Sequence, residues 1–185
     1  MSQLNMEKSD LGRVPAIPVP DGYLLRTFRE GDEAGIARIY AASDLGATTA
    51  EAVREKMLGD PRFKPERLFV IEHQGELVGT AAAWVCSNDP SIGYLHMVGL
   101  LPGHRGKRLG AILTVAAINQ NRAEGLSVQR LHTDDFREPA LRLYLDLGYV
   151  PVYEDDTHPG RWETLARKLD RPEAVSHAID RRPNQ

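Results

Sequence analysis

The feature that most constrains this chain is a strand, turn and helix unit between Ile92 and Gly125. Ile92 to Leu101 is almost continuously apolar, which suits a strand covered on both faces better than an edge strand alternating with water. Pro102 and Gly103 end the ladder, since proline brings no backbone donor and glycine relaxes the chain. Gly106 and Gly110 bracket a short basic turn. From Leu109 on, Leu109, Ile112, Leu113, Ala116 and Ala117 recur at helical spacing as far as Gly125, where a left-handed cap falls. The spacing predicts a long helix whose first turn opens directly out of a buried strand.

The first turn of such a helix carries free N–H groups and the positive end of the macrodipole, so it attracts an anion before any side chain is counted. Arg105, Lys107 and Arg108 add cations at that same end, an unfavourable placement unless something negative sits there. A diphosphate relieves the repulsion. A solvated basic turn with no ligand fits the same residues, and spacing alone leaves both readings open. Two familiar phosphate loops are absent: Leu101 stands five residues before Gly106 and Arg108 follows Lys107, which breaks G-x-x-x-x-G-K-[ST], and G-x-G-x-x-G does not occur here.

The 185 residues suffice for one domain with a substantial core and are short for two. A net charge of -3 argues against a general nucleic-acid binder and suits a small polyanion drawn to one basic spot. No apolar run approaches a membrane span, and the first ten residues lack a secretory apolar segment, so the expected setting is cytoplasmic with no membrane partner. The single cysteine, Cys86, excludes an internal disulfide and a cysteine metal cluster, and ends an apolar stretch as a structural thiol would. No metal is expected.

Residues 1–20 end in a proline-rich run and read as a flexible lead-in, 21–169 as the domain, and 170–185 as a polar tail without a packing face. Tyr23 to Phe28 reads as a strand. Asp32 caps a helix carrying Ile36, Ile39 and Tyr40, and Thr48-x-x-Glu51 reads as a capping box for a second helix ending near Gly59. Arg67 to His73 and Glu76 to Ser87 form a hairpin about Gln74-Gly75. In the central strand, strict alternation places Tyr94, His96 and Val98 on one face, and Gly99 suggests a bulge or a close backbone approach. Ser127 to Thr133 reads as a strand parallel to it, because a helix-sized crossover joins the two. Asp134-Asp135 cap a further helix ending at Gly148, and Tyr149 to Tyr153 with Trp162 to Leu169 reads as a final strand pair. The fold class is α/β (α+β).

At two places the residues resemble a known family. Arg105-Gly106-Lys107-Arg108-Leu109-Gly110-Ala111 is similar to the R/Q-x-x-G-x-G/A signature of the GNAT superfamily of acyl-CoA-dependent N-acyltransferases. Pro139 to Tyr149 is similar to that family's A-x-x-L-Y-x-x-L-G-F segment, and HMVGLLPGHRGKRLG also resembles the acetyltransferase domains of mycothiol synthase. The resemblance implies a central mixed, mostly antiparallel sheet with a splayed parallel pair and about four flanking helices. It also implies acetyl-CoA as co-substrate, a diphosphate held by Arg105 to Ala111, and a pantetheine arm paired with the backbone around Val98, Gly99 and Leu100. A small-molecule or peptide amine is the implied acceptor; a homodimer is open, since the oligomeric state is not readable from the sequence. A non-catalytic CoA-binding module of the same fold is the alternative. Arg108 stands where the family usually has glycine, and Arg137 where it often has asparagine.

Acyl transfer to an amine needs a neutral nucleophile, a proton for the departing thiolate and support for the oxyanion. The resemblance points to Tyr144 as the group facing the sulfur, whereas its spacing with Leu141 and Leu145 alone fits a helix core stripe. Donation from an ordinary tyrosine to a thiolate is uphill by about 2 kcal/mol. The site must therefore lower that pKa or use the phenol chiefly as a hydrogen-bond donor. His96 is the candidate base, with a buried structural histidine as the competing reading.

Overall fold

In a computed structural model that describes residues 2–12 and 14–183, an eight-stranded sheet carries helices on both faces. The strands are β1 (Leu4–Lys8), β2 (Tyr23–Thr27), β3 (Leu68–His73), β4 (Glu76–Val85), β5 (Gly93–Leu100), β6 (Gln129–Thr133), β7 (Val150–Tyr153) and β8 (Ile179–Asp180). Their order across the sheet is β2-β3-β4-β5-β6-β1-β7-β8. Helices α1 (Glu33–Ala42) and α2 (Ala50–Val53), the latter continued by a π turn over Arg54–Leu58, pack on one face. The other face carries α3 (Leu109–Ala123), α4 (Glu138–Asp146) and α5 (His158–Lys168), and a short α6 (Glu173–Ser176) follows.

The core is divided by the sheet. Leu95, Leu109, Ile112, Leu113, Ile118, Leu131, Leu141 and Trp162 belong to the α3–α4–α5 side. Ile36, Ile39, Tyr40, Val53, Met57 and Trp84 belong to the α1–α2 side. Strand β4 contributes to both clusters in alternation and is buried along most of its length, as expected of an interior strand.

Strands β5 and β6 run parallel but pair only at Gly93–Gln129 and Tyr94–Arg130, after which they part. A buried polar chain fixes where they part. Asn121 of α3 donates to the Trp84 carbonyl at 3.2 Å, Gln129 donates to Asn121 and to the Ala117 carbonyl, and the Tyr149 hydroxyl donates to Gln129. These groups satisfy one another inside the core, so the apex is held by partners whose loss would strand polar atoms.

Three expectations about the ends of the chain are corrected. The lead-in is not loose: β1 lies antiparallel between β6 and β7, with Leu4 and Met6 fully buried. Its buried Glu7 carboxylate meets Arg130 at 2.7 Å and Arg181 at 2.8 Å, and these guanidiniums hold its pKa below the ordinary range against the cost of burial. Trp162 to Leu169 is helix rather than strand. Trp162, Leu165, Ala166 and Leu169 all face inward, a 3.6-residue stripe, while Pro159 sits in the first turn. The tail after Asp170 is also built in: Ala174 is buried, and β8 pairs parallel with β7.

Candidate active site

The parting of β5 and β6 leaves a cleft, and β5 is shaped to serve it. Thr80 pairs with Gly99 but Ala82 pairs with His96, so β5 carries one extra residue at a bulge. The bulged residue is Met97, in the left-handed region at φ 53, and not Gly99. The bulge breaks the expected alternation: Tyr94 and Met97 pack on the α1–α2 side, whereas Val98 and Leu100 join the α3 side with Leu95. Gly99 answers to the second expectation, a close approach, because a Cβ there would lie 3.0 Å from Ile39, Leu45 and Ser43 side-chain atoms of α1 and its loop.

Val98 lies in the bulge opposite Ala81 and beyond the last β5–β6 pair, so β6 does not pair with it. Leu100 differs: its N–H donates to Ser43 Oγ at 3.2 Å. Across the same opening Arg137 donates to the carbonyls of Ser43 at 3.1 Å and Asp44 at 3.2 Å. The loop after α1 thus spans from β5 to the start of α4, and the backbone donor expected of Leu100 is engaged by the chain's own serine. Sequence reasoning missed this strap, since no local pattern relates Ser43 to residues about 57 and 94 positions away.

Beyond β5, Pro102–His104 makes a single 3-10 turn, Gly106 adopts φ 78, and Arg108 precedes α3 in the left-handed region at φ 61, ψ 10. Arg108 therefore takes up a backbone conformation that favours glycine. Among the described residues no acceptor meets the N–H groups of Gly106, Lys107, Arg108, Leu109, Gly110 or Ala111. The space over Gly106 is open, with nothing within 4 Å of a Cβ built there. The first turn of α3 holds no acidic residue. Lys107 folds onto the Gly103 carbonyl at 3.3 Å, and Arg105 reaches the Ala42 carbonyl at 3.1 Å, so these two cations lie against the strand end and Arg108 is exposed. Unpaired N–H groups, a dipole and cations without acid partners have the donor set of a diphosphate cradle.

Tyr144, on α4, is buried with its ring edge-on to Tyr149 at 5.8 Å. Its hydroxyl has no hydrogen-bond partner among the described residues and lies within electrostatic reach of Arg137 and Tyr94, the residues bordering the cleft. Burial pushes the phenol well above its ordinary pKa, with Arg137 opposing. Of the two ways to use this tyrosine, lowered pKa or hydrogen-bond donation, the first is thereby set aside for the ligand-free chain.

His96 lies against Trp84 at 4.5 Å and Tyr94 at 5.5 Å. Burial, helped by Arg62, pushes it down to about 4. A histidine so placed is neutral and a weak proton acceptor, which favours its structural reading. Arg62 stacks over Trp84 at 4.6 Å while bound to Asp60 at 2.7 Å, and holds that carboxyl down at about 2. Across the apex, His132 of β6 meets the Tyr94 ring edge-on at 5.3 Å. The start of α3 meets α4, where a Cβ on Gly110 would lie 3.5 Å from Leu143, whereas His96 stands with Trp84 and Tyr94 on the α1–α2 side. Among the described residues no group of three His, Cys, Asp or Glu side chains is arranged to hold a metal, and no helix is long and apolar enough to cross a membrane.

The model of the acetyltransferase (GNAT) family matches residues 34–149, which include the strap, cleft, cradle and Tyr144. A mycothiol acetyltransferase of Thermomonospora curvata is 35% identical over 143 residues, covering 74% of this chain and 47% of that protein. Among solved structures, a GCN5-related N-acetyltransferase from Sphaerobacter thermophilus superposes with a TM-score of 0.66 at 23% identity, over 82% of this chain and 49% of that one. A tandem GNAT protein from the clavulanic acid biosynthesis pathway gives 0.62 at 20% identity, over 81% and 50%. The chain spans about half the length of the curated relatives it matches. At these identities the two structures speak for the fold alone.

Proposed function

The chain belongs to the acetyltransferase (GNAT) family, and from that premise we propose that it transfers an acetyl group from acetyl-CoA to the amine of a small molecule or peptide by direct attack. The observation that carries this reading is the run of N–H groups from Gly106 to Ala111 that meet no acceptor among the described residues, at the start of the helix that follows β5. The cradle would hold the diphosphate, Val98 would pair with the pantetheine amide, and the thioester would lie beside Tyr144. The 35% identity to mycothiol acetyltransferase over 74% of the chain supports acetyl transfer as the chemistry, and the acceptor amine is left to experiment.

In this reading the phenol of Tyr144 donates a hydrogen bond to the departing sulfur. Its raised pKa keeps the proton in place until negative charge develops there. The Leu100 N–H becomes available once the Ser43 hydroxyl turns aside, which couples entry of the pantetheine arm to the strap.

The test has two stages. Acetyl-CoA at about 100 times its Kd should raise the unfolding free energy by about 2.7 kcal/mol. Release of free CoA that depends on an amine, screened over polyamines, aminoglycosides, amino acids and peptide N-termini, then separates a transferase from a non-catalytic CoA-binding module. Protection without release from any of these amines would favour the module.

A further inference from the structure

The proton lost by the acceptor amine needs a destination, and resting on the transferase reading above we propose that His132, rather than His96, receives it. His132 stands on β6 on the opposite lip of the cleft from His96, is exposed, and touches the Tyr94 ring edge-on at 5.3 Å. Tyr94 in turn lies within electrostatic reach of Tyr144. Tyr94 and His132 thus meet where β5 and β6 part, and the imidazole there is exposed. His96 lacks that access: it is sandwiched toward Trp84, with the locked Asp60–Arg62 pair on its far side.

The charged surroundings of the two histidines differ as well. Facing His132 are Tyr94 from β5, Arg130 from its own strand, and Glu154, just past β7, which is itself fixed by Asn5 of β1 at 2.6 Å. Partial burial and Arg130 lower the imidazole below its ordinary value, while Glu154 pulls the other way and supports the protonated form. His96 has Arg62 and His132 opposing its charge, and only Asp60, already committed to Arg62, in its favour. A carboxylate within electrostatic reach of an exposed imidazole favours its protonated form, which lets a histidine accept a proton and pass it to water.

The ammonium R–NH3+ gives one proton to His132, which later returns it to solvent. The free amine attacks the thioester carbon, the C–N bond forms and the C–S bond breaks. The second proton leaves the nitrogen and reaches the sulfur by way of the Tyr144 phenol, which ends unchanged, so the products are R–NH–acetyl, CoA–SH and one released proton.

The experiment uses the full chain and the best acceptor from the amine screen, with kcat/KM followed from pH 4.5 to 9. The wild-type profile should show an acidic limb set by a group titrating below the ordinary histidine value of about 6.5. His132→Gln should abolish that limb and lower kcat/KM about 100-fold or more, while acetyl-CoA still protects against unfolding. In His132→Ala, free imidazole added to the buffer should restore part of the rate, which a purely structural loss would not allow. His96→Gln should keep the limb. A limb that survives in His132→Gln, or disappears in His96→Gln, would overturn the assignment while leaving acetyl transfer intact. Absence of turnover with every amine would remove the transferase reading and this one with it.

Discussion

At the scale of single residues, Arg108, Tyr144 and His96 carry separate consequences. Arg108 holds φ 61 without being glycine, so Arg108→Gly should stabilise the chain by about 1 kcal/mol in urea titrations, through relief of left-handed strain. Its effect on acetyl-CoA affinity should stay within about tenfold, because the N–H and not the side chain lines the cradle; a larger gain would mark the arginine as an obstruction. Tyr144→Phe removes a hydroxyl that has no partner among the described residues, so folding and CoA affinity should hold while turnover falls about 10- to 10,000-fold. Unchanged turnover would free the phenol from any role. His96 stays neutral in the fold down to about pH 4, whereas an unfolded histidine takes its proton near 6.5. Between those values the unfolded chain binds more protons, so stability falls as pH drops, by about 2 kcal/mol at pH 5 from this group. His96→Gln should flatten the dependence of the urea midpoint between pH 7 and pH 5; an unchanged slope would show that the imidazole is already protonated in the fold. Arg108 was readable as an oddity from its position alone, but its φ was not, because both backbone conformations give the same string of letters.

At the scale of elements, local chemistry and long-range pairing part company. The strand, basic turn and α3 were legible because each boundary is written locally: an apolar run, Pro102, and Gly125 at φ 85 past the helix end. The cap of α2 falls at Thr49, one residue after the expected Thr48, since Thr49 Oγ1 is the oxygen that accepts from Ala52. β1 was missed because Leu4–Lys8 is too short to announce itself and gains its burial only from β6 and β7, more than 100 residues away. α5 was missed through a wrong choice of period, although Trp162, Leu165 and Leu169 already carried the helical spacing. The strap after α1 is an element-scale device: Ser43→Ala should leave the fold intact and free the Leu100 N–H, tightening acetyl-CoA by up to about fivefold. Weaker binding would mean that the serine supports the ligand-bound loop.

At the scale of the whole molecule, the sheet is closed by its own N-terminus, and the site depends on it. β1 buttresses β6, the far lip of the cleft, and Glu7 ties β6 to the C-terminal segment through Arg130 and Arg181. Glu7→Ala should cost about 3 kcal/mol or more, since it leaves two guanidiniums facing a buried vacancy. The fold class and the parting of β5 from β6 were foreseeable from the sequence, whereas the strand that completes the sheet and the loop that links β5 to Arg137 were not, because both are contacts between distant segments. The central claim is that the N–H groups from Gly106 to Ala111 form the seat of a diphosphate. The direct measurement is a titration of the 15N-labelled full chain with acetyl-CoA, followed through its assigned amide resonances. Saturable shifts largest at Gly106 to Ala111, with Val98 and Tyr144 following at the same Kd, are the predicted result; shifts centred elsewhere, or none at millimolar acetyl-CoA, would contradict it.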